Sequence, residues 1–190
     1  MKLIVGLGNP GKLYKDSRHN VGFAVIEALA KASKVSLKKQ SDIFSLIGKG
    51  KIEGQNVILS LPVTFMNLSG LAASALLKKY KIDLDKLLVV CDDLDLEFGR
   101  LKIKASGSSG GHQGLNSVID FIRSQGFCRL RIGIGRPLAN IDTAEYVLTA
   151  FTRKEKEQIN QIIKRAVECC RVWATEGVSK SMGIFNRRSE

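Results

Sequence analysis

Short apolar runs alternate along this chain with longer segments in which apolar residues recur every three or four positions. Residues 2–7 and 87–91 are largely apolar runs, which suits strands that are buried on both faces. Residues 20–32 and 65–80 have helical spacing, and so does a longer segment that begins at Thr152. This interleaving predicts an α/β fold, in which a central twisted sheet, mostly parallel or mixed, is flanked by helices.

The rest of the chain fits the same scheme. Further strands are expected at residues 44–48, 56–61, 100–104 and 128–134, and a further helix at residues 115–122. The segment after Thr152 predicts a long C-terminal helix, and residues 183–190 are expected to form a loose basic tail. Because the 190 residues contain no linker and no repeat, we expect a single domain spanning residues 1–190.

Composition excludes several classes of protein. No apolar run approaches the roughly 20 residues that a membrane-spanning helix needs. The sequence starts with a strand-like run, so we expect no signal sequence. The four cysteines form no CxxC pair, so we expect no disulfide framework and a cytoplasmic location. The two histidines lie in no cluster with metal-ligand spacing, so we expect no metal and no cofactor.

The charge of the chain indicates a polyanionic partner. Thirty Lys and Arg residues against 18 Asp and Glu residues give a formal net charge of +12. Such a charge attracts nucleic acid or another anionic surface, although basicity alone also fits a protein without that kind of partner. The sequence therefore favours nucleic acid as the partner.

The first glycine-rich loop matches two nucleotide-binding patterns only in part. Residues 6–11 (GLGNPG) spell GxGxxG, but no helical stripe follows Gly11 and no acidic residue ends a second strand about 20 residues further on. The same residues with Lys12 fit GxxxxGK, but Leu13 stands where a hydroxyl would bind magnesium, and Pro10 lacks a backbone N–H. A nucleotide-binding enzyme is therefore kept only as an alternative.

Five blocks in collinear order are more specific than any of these glycines. They are 6–11 (GLGNPG) with Tyr14 and 17–22 (SRHNVG), 62–70 (PVTFMNLSG), 91–96 (CDDLDL) with Gly99, 109–115 (SGGHQGL), and 129–137 (RLRIGIGRP) with 146–148 (YVL). Together they resemble the bacterial peptidyl-tRNA hydrolases over roughly residues 2–151. That family also has a long C-terminal helix.

The resemblance implies hydrolysis of the ester that joins a peptide to tRNA. On this interpretation His19 is the general base that activates water, since an imidazole is largely neutral and still basic near pH 7. Asp92 orients His19 and stabilises its protonated form, as in a catalytic triad without the serine. Asn9 completes the catalytic set that the resemblance implies, and this chemistry needs no metal.

The resemblance also implies residues that bind the substrate. Tyr14, Met66 and Asn67 would line the cleft, and Asn67 is the better candidate for stabilising charge on the scissile carbonyl. His112 and Gln113 belong to the same substrate-binding set. Lys104 and Arg131 would hold the 5′-phosphate of tRNA through charge-assisted hydrogen bonds. The expected partner is peptidyl-tRNA, and the expected state of the protein is a monomer.

The chain departs from the family pattern at two positions. Gln113 stands where the family usually has Asn, and the extra methylene moves the amide by roughly 1 Å, so we expect retained but reduced activity. Cys91 stands where many relatives have His, and we interpret it as a packing residue. Asp93 is a rival to Asp92, but neighbouring strand residues face opposite sides, and the pattern favours Asp92. An alternative function is a non-catalytic RNA-binding relative with the same fold.

Overall fold

The computed structural model describes residues 1–187, and its framework is one seven-stranded sheet with helices on both faces. The strands are β1 (Lys2–Gly6), β2 (Lys38–Gln40), β3 (Ser45–Ile52), β4 (Gln55–Pro62), β5 (Leu87–Asp93), β6 (Leu101–Lys104) and β7 (Cys128–Gly133). The helices are α1 (Val21–Ala32), α2 (Ser69–Tyr80), α3 (Gln113–Ile122), α4 (Thr143–Leu148), α5 (Arg153–Glu176) and α6 (Val178–Phe185).

The sheet is mixed, as the sequence predicts. Its order is β2-β3-β4-β1-β5-β7-β6, and the four central strands β4, β1, β5 and β7 run parallel to one another. The outer strands β2, β3 and β6 pair antiparallel to their neighbours. Because the central strands are parallel, their carboxyl ends meet at one edge of the sheet, where an open α/β fold places its ligands.

Two hydrophobic cores cover the two faces of this sheet. Along β1, Ile4 packs into the core that includes the buried Trp173 of α5, whereas Leu3 and Val5 pack into the core that includes Leu76 of α2. This alternation follows from the two-residue period of a strand. Each face of the sheet is therefore sealed by its own helices.

Close packing of α1 on the sheet depends on two glycines. A Cβ built on Gly22 would lie 2.5 Å from the Val90 carbonyl oxygen, and one built on Gly6 would lie 2.4 Å from the Gly22 carbonyl oxygen. Gly11 has a φ of 105° and leads into a short 3-10 turn, and the first α-helix begins only at Val21. The glycines at positions 6 and 22 thus allow close helix–strand packing. No α-helix begins at Gly11, so the loop lacks the helix N-terminus at which a nucleotide phosphate would bind.

The expectation of a loose tail is wrong for residues 183–186. Residues 178–185 form helix α6, and Phe185 is 5% exposed in the core that contains α1 and α5. The Asn186 amide accepts a hydrogen bond from Ile103 N at 2.8 Å and donates one to Ile103 O at 2.9 Å. This pairing satisfies the outward backbone groups of Ile103 on the outer edge of β6, where another strand could otherwise pair. Residues 188–190 lie outside the described part of the chain.

Other expectations can be compared directly. All four cysteines are free and buried, and burial raises the pKa of Cys169 to about 12. Cys91 packs in the core beside α2 and α3, in agreement with a packing role, and burial likewise raises the pKa of its thiol. Within residues 1–187, no helix is both long and apolar enough to cross a membrane.

Phe185→Ala tests whether α6 is part of the core. We expect the free energy of unfolding to fall by about 3 kcal/mol, since the substitution removes a buried ring and leaves a cavity. Ile184→Ala is the matched control, because Ile184 is on the same helix and is 44% exposed. It should change stability by less than about 1 kcal/mol. Equal, small effects in chemical denaturation would show that α6 is not docked.

Candidate active site

A cleft of about 620 Å³ lies at the edge of the sheet where the central parallel strands end. Loops after β1, β4 and β5 supply one side, and the start of α3 supplies its glycine-rich rim. Helix α4 forms a further wall. The lining includes eight of the residues that the sequence singled out: Asn9, His19, Met66, Asn67, Asp92, His112, Gln113 and Arg131.

Asp92 is the buried anion of the cleft. It is 2% exposed, and its Oδ1 lies 2.8 Å from His19 Nδ1 and 2.9 Å from His112 Nε2. Burial raises the pKa of the Asp92 carboxyl, but electrostatic attraction and hydrogen bonds from His112 and His19 outweigh burial and hold that pKa well below its usual range. Asp92 is therefore an ionised acceptor shared by two imidazoles.

The hydrogen bonds of His112 fix which of its nitrogens bears the proton. His112 is the N-cap of α3, and its Nδ1 accepts from Gly114 N at 3.1 Å and from Leu115 N at 3.2 Å. A nitrogen that accepts cannot hold the proton of a neutral ring, so Nε2–H donates to Asp92. His112 thus holds Asp92 in place, a contact that the sequence analysis did not anticipate for a substrate-binding residue.

The same reasoning leaves a basic nitrogen on His19. Its Nδ1 lies beside an ionised carboxylate and therefore donates to it, so in the neutral ring Nε2 is unprotonated. His19 is 8% exposed and lines the cleft, and its ring centroid is 4.9 Å from that of His112. A small reactant in the cleft, such as water, can therefore give a proton to His19 Nε2.

Asn9 is held by hydrogen bonds on three sides. Its backbone N–H donates to Asn20 Oδ1 at 2.8 Å, and its backbone oxygen accepts from Asn20 Nδ2 at 2.9 Å. Its side-chain oxygen accepts from Met66 N at 2.8 Å. Because the carbonyl end of the amide is occupied, Asn9 Nδ2 is left to donate to a ligand in the cleft.

The neighbouring carboxyl, Asp93, has a different partner. Its Oδ2 is 2.8 Å from Arg131 Nε, and its Oδ1 accepts from Asp95 N at 2.8 Å. Burial raises the pKa of Asp93, although the Asp95 N–H and the Arg131 guanidinium act in the opposite direction. As expected from strand alternation, only Asp92 reaches His19, and Asp93 holds Arg131 instead.

Two of the predicted site residues do not line this cleft. Tyr14 ends the 3-10 turn Lys12–Tyr14 in the loop after β1, and Lys104 ends β6. Lys104 pairs in register with Arg129, and Lys102 pairs with Arg131. Lys104 therefore lies diagonally across from Arg131 on the same face of the sheet, since directly paired residues share a face.

The structure also shows a buried cation that sequence reasoning missed. Arg129 is fully buried, and its guanidinium donates to four backbone carbonyl oxygens, those of Gly107, Ser108, Gln125 and Phe127. Two of these oxygens belong to the glycine-rich loop that leads to His112. Arg129 thus fixes that loop without a carboxylate partner within residues 1–187. Its position in an alternating strand gives no sign of this.

Helix α4 was not among the predicted helices, although residues 146–148 belong to one of the quoted blocks. Thr143, Ala144, Val147 and Leu148 line the cleft, as does the exposed Phe65. Arg136 and Asp95 also line the cleft, where Arg136 Nε donates to Asp95 Oδ1 at 2.9 Å. The signal that was available for α4 is its N-cap, since Asp142 accepts from the N–H groups of residues 144 and 145.

His19, Asp92 and His112 are also the residue types that bind metals. Their ligand atoms lie within 4.8 Å of one another. Two ligands of a tetrahedral zinc would be separated by about 3.3 Å, given metal–nitrogen distances near 2.0 Å. The observed separations of 2.8 and 2.9 Å are hydrogen-bond lengths, and His112 Nδ1 is occupied by backbone N–H groups. This geometry fits a hydrogen-bonded cluster better than a metal site.

The two adjacent carboxyls lead us to expect opposite effects on stability in acid. Because the pKa of Asp92 is lowered, its stabilising contribution is complete above the unfolded value of about 3.9 and is lost as the pH falls towards the folded value. Because the pKa of Asp93 is raised, its ionised form destabilises the fold, and protonation at falling pH relieves this penalty.

The free energy of unfolding of Asp92→Asn should therefore fall less steeply than that of the parent as the pH is lowered from about 5 to about 3. The difference in slope should be up to about 1.4 kcal/mol per pH unit. Asp93→Asn should steepen the fall in this free energy as the pH is lowered towards the unfolded value of about 3.9, because the variant has no carboxyl of raised pKa to protonate. Urea unfolding followed by circular dichroism at a series of pH values measures both slopes. Curves for Asp92→Asn and Asp93→Asn that both run parallel to that of the parent would contradict the assignment of the two carboxyls.

Comparison with known proteins places this site in a family. A family model described as peptidyl-tRNA hydrolase matches residues 3–190. The protein named peptidyl-tRNA hydrolase of Desulforudis audaxviator is 45% identical over 186 residues, which cover 98% of this chain and 93% of the relative. The protein with the same name from Aquifex aeolicus is 48% identical over 169 residues, covering 89% and 88%.

A solved structure agrees with these sequences. The crystal structure of peptidyl-tRNA hydrolase from Acinetobacter baumannii matches with a TM-score of 0.94 and 35% identity, and covers 100% of this chain and 96% of that one. The agreement therefore extends over the whole fold, from the mixed sheet to the C-terminal helices. This chain belongs to the peptidyl-tRNA hydrolase family.

Proposed function

We propose that this protein hydrolyses the ester bond between peptide and tRNA in peptidyl-tRNA, releasing free tRNA and the peptide. One observation carries the proposal: in a member of this family, His19 Nδ1 donates to the ionised Asp92, which leaves Nε2 as a base at the cleft. A carboxyl ester is activated enough for attack by water with such a base. The intact pair argues against a solely RNA-binding role.

The proposed reaction begins with water in the cleft. His19 Nε2 takes a proton from the water as its oxygen attacks the carbonyl carbon of the ester, and a tetrahedral intermediate forms. Asp92 stabilises the resulting imidazolium. The bond between the carbonyl carbon and the ribose oxygen then breaks, and His19 returns the proton to that oxygen. The products are a peptide with a free carboxyl group and tRNA with a free ribose hydroxyl.

Amide groups supply donors for the developing negative charge. Asn9 is fixed by Asn20 and Met66, so its Nδ2 is pre-oriented, and Asn67 is exposed at the cleft. Loss of one such donor in an acyl-transfer site typically costs about 10²- to 10³-fold in rate. Met66 offers an adaptable wall to varied peptide side chains. We propose Tyr14, His112 and Gln113 as further residues that contact or organise the substrate.

We propose that tRNA binds on the face of the sheet that carries Lys104 and Arg131. A net charge of +12 attracts its phosphates, and Lys104 and Arg131 lie on one face where they can hold the 5′-phosphate. Arg131 is paired with Asp93, so an incoming phosphate would share that guanidinium. We infer a monomer acting in the cytoplasm, and the four free, buried thiols are compatible with a reducing compartment.

His19→Ala tests the proposed base. The parent should release tRNA from N-acetyl-aminoacyl-tRNA in the presence of EDTA, and the variant should lose at least about 10²-fold in kcat, because no other group at this position can take the proton. Release of tRNA, measured by acid precipitation of labelled acyl-tRNA, is the readout. Unblocked aminoacyl-tRNA should remain intact in parallel reactions.

Three outcomes would contradict the proposal. Salt-sensitive tRNA binding without hydrolysis by the parent would indicate an RNA-binding protein instead. Hydrolysis that His19→Ala retains would assign the base to another residue. Loss of activity on adding EDTA, restored by a divalent metal, would overturn the metal-independent mechanism.

Gln113→Asn tests the departure from the family pattern. Gln113 is exposed at the cleft, at the first position of α3, and its amide lies one methylene further from the backbone than that of Asn. We expect the variant to increase kcat/KM by up to about 10-fold, since a misplacement near 1 Å costs no more than about 10². A variant slower than the parent would show that the pocket has adapted to Gln.

A further inference from the structure

Helix α4 forms a wall of the cleft without being anchored in a core. It has six residues, none of them buried, and four of them line the cleft. A helix of this length is not stable by itself, so its position must be set by contacts from the rest of the protein. Those contacts therefore determine where this wall of the cleft lies.

One side chain makes several polar contacts with the residues directly after α4. Arg18 has a side chain that is 4% exposed, and it directly precedes His19. Its Nη1 donates to Thr149 Oγ1 at 3.0 Å and also to the carbonyl oxygen of Ala150. Its backbone N–H donates to Thr149 O at 3.0 Å. The turn that carries His19 is therefore joined to the residues directly after α4.

The same guanidinium also reaches the start of α5. Arg18 Nη2 donates to Glu155 Oε2 at 2.6 Å, and that oxygen accepts from Thr152 N, at the N-cap of α5. The Arg18 guanidinium carbon lies 4.4 Å from the Tyr146 ring centroid and 5.2 Å from that of Phe151. A planar, charged group with a forked set of donors suits this combination of stacking and hydrogen bonding, whereas a lysine ammonium does not.

We propose that Arg18 is a positioning residue, which fixes the α4 wall against the His19 turn and thereby sets the affinity for the acylated end of the substrate. The proposal rests on the proposed hydrolase function. Arg18 would affect substrate binding and not proton transfer, because Asp92 at the end of β5 orients His19, whereas the Arg18 side chain contacts the residues after α4. Loss of the Arg18 contacts therefore weakens binding and leaves the proton transfer in place.

Arg18→Lys and Arg18→Met are the test variants, assayed on N-acetyl-aminoacyl-tRNA. We expect KM to rise about 10-fold in both, the value of one lost charge-assisted hydrogen bond. The kcat and its pH profile should stay within about threefold of the parent, as for an interaction equally strong in substrate and transition-state complexes. Amides of residues 143–152 should exchange with deuterium faster in the free variants.

Tyr146→Phe provides an independent route to the same wall. The Tyr146 hydroxyl donates to Ile134 O at 2.9 Å, and its removal loosens α4 without changing Arg18. It should also raise KM, by about threefold, the effect of one neutral hydrogen bond. Arg171→Met is the matched control, since Arg171 lies on α5 about 27 Å beyond Arg153 and its Nη1 is 3.9 Å from Glu168 Oε2.

Three results would overturn the proposal. The first is an unchanged KM in folded Arg18 variants, and the second is a fall in kcat with a shifted pH profile, which would place Arg18 in the chemistry of His19. The third is unchanged exchange over residues 143–152. If Arg18→Met fails to fold, Arg18→Lys and Tyr146→Phe decide. If the parent itself does not hydrolyse the substrate, the proposed function fails, but the exchange measurement still tests the positioning.

Discussion

The buried carboxylate of Asp92 is the group on which the cleft depends. An ionised carboxyl with 2% exposure is tolerated only where hydrogen bonds replace its water. His19 and His112 provide them, and both reach the same oxygen. Because His112 caps α3 and His19 precedes α1, a single oxygen atom links the starts of two helices to the end of β5.

The cleft combines two kinds of support. The side with the His–Asp pair rests on the central strands and on α1, whose close approach requires glycine at position 22. The α4 wall contributes no buried residue and is held by the guanidinium of Arg18 and the hydroxyl of Tyr146. Rigid elements hold a reacting pair to small tolerances, whereas a wall that contacts varied peptides can be held less tightly.

Much of the fold was predictable because local patterns match the elements. The apolar run that ends at residue 91 is β5, and the stripe after Thr152 is α5, with a capping box at its start. Three elements were missed. β2 has three residues and α4 has six, too few for a period to be visible. Helix α6 follows Gly177, and its last three residues lie in the segment that was expected to be a tail. These short elements are stabilised by distant parts of the chain.

By itself the sequence determined the alternation of strands and helices, the basic charge, and the identity of most polar residues at the cleft. The resemblance implied that Asp92 orients His19, but only the tertiary structure showed that contact and decided how the other polar residues pair. His19 and Asp92 are 73 positions apart, and Arg18 and Glu155 are 137 apart, so no local pattern could show these contacts. The same holds for three further features: the proton on His112 Nε2, the pairing of Asp93 with Arg131, and the docking of Phe185. A buried polar or aromatic group takes its partner from the packing of the whole sheet.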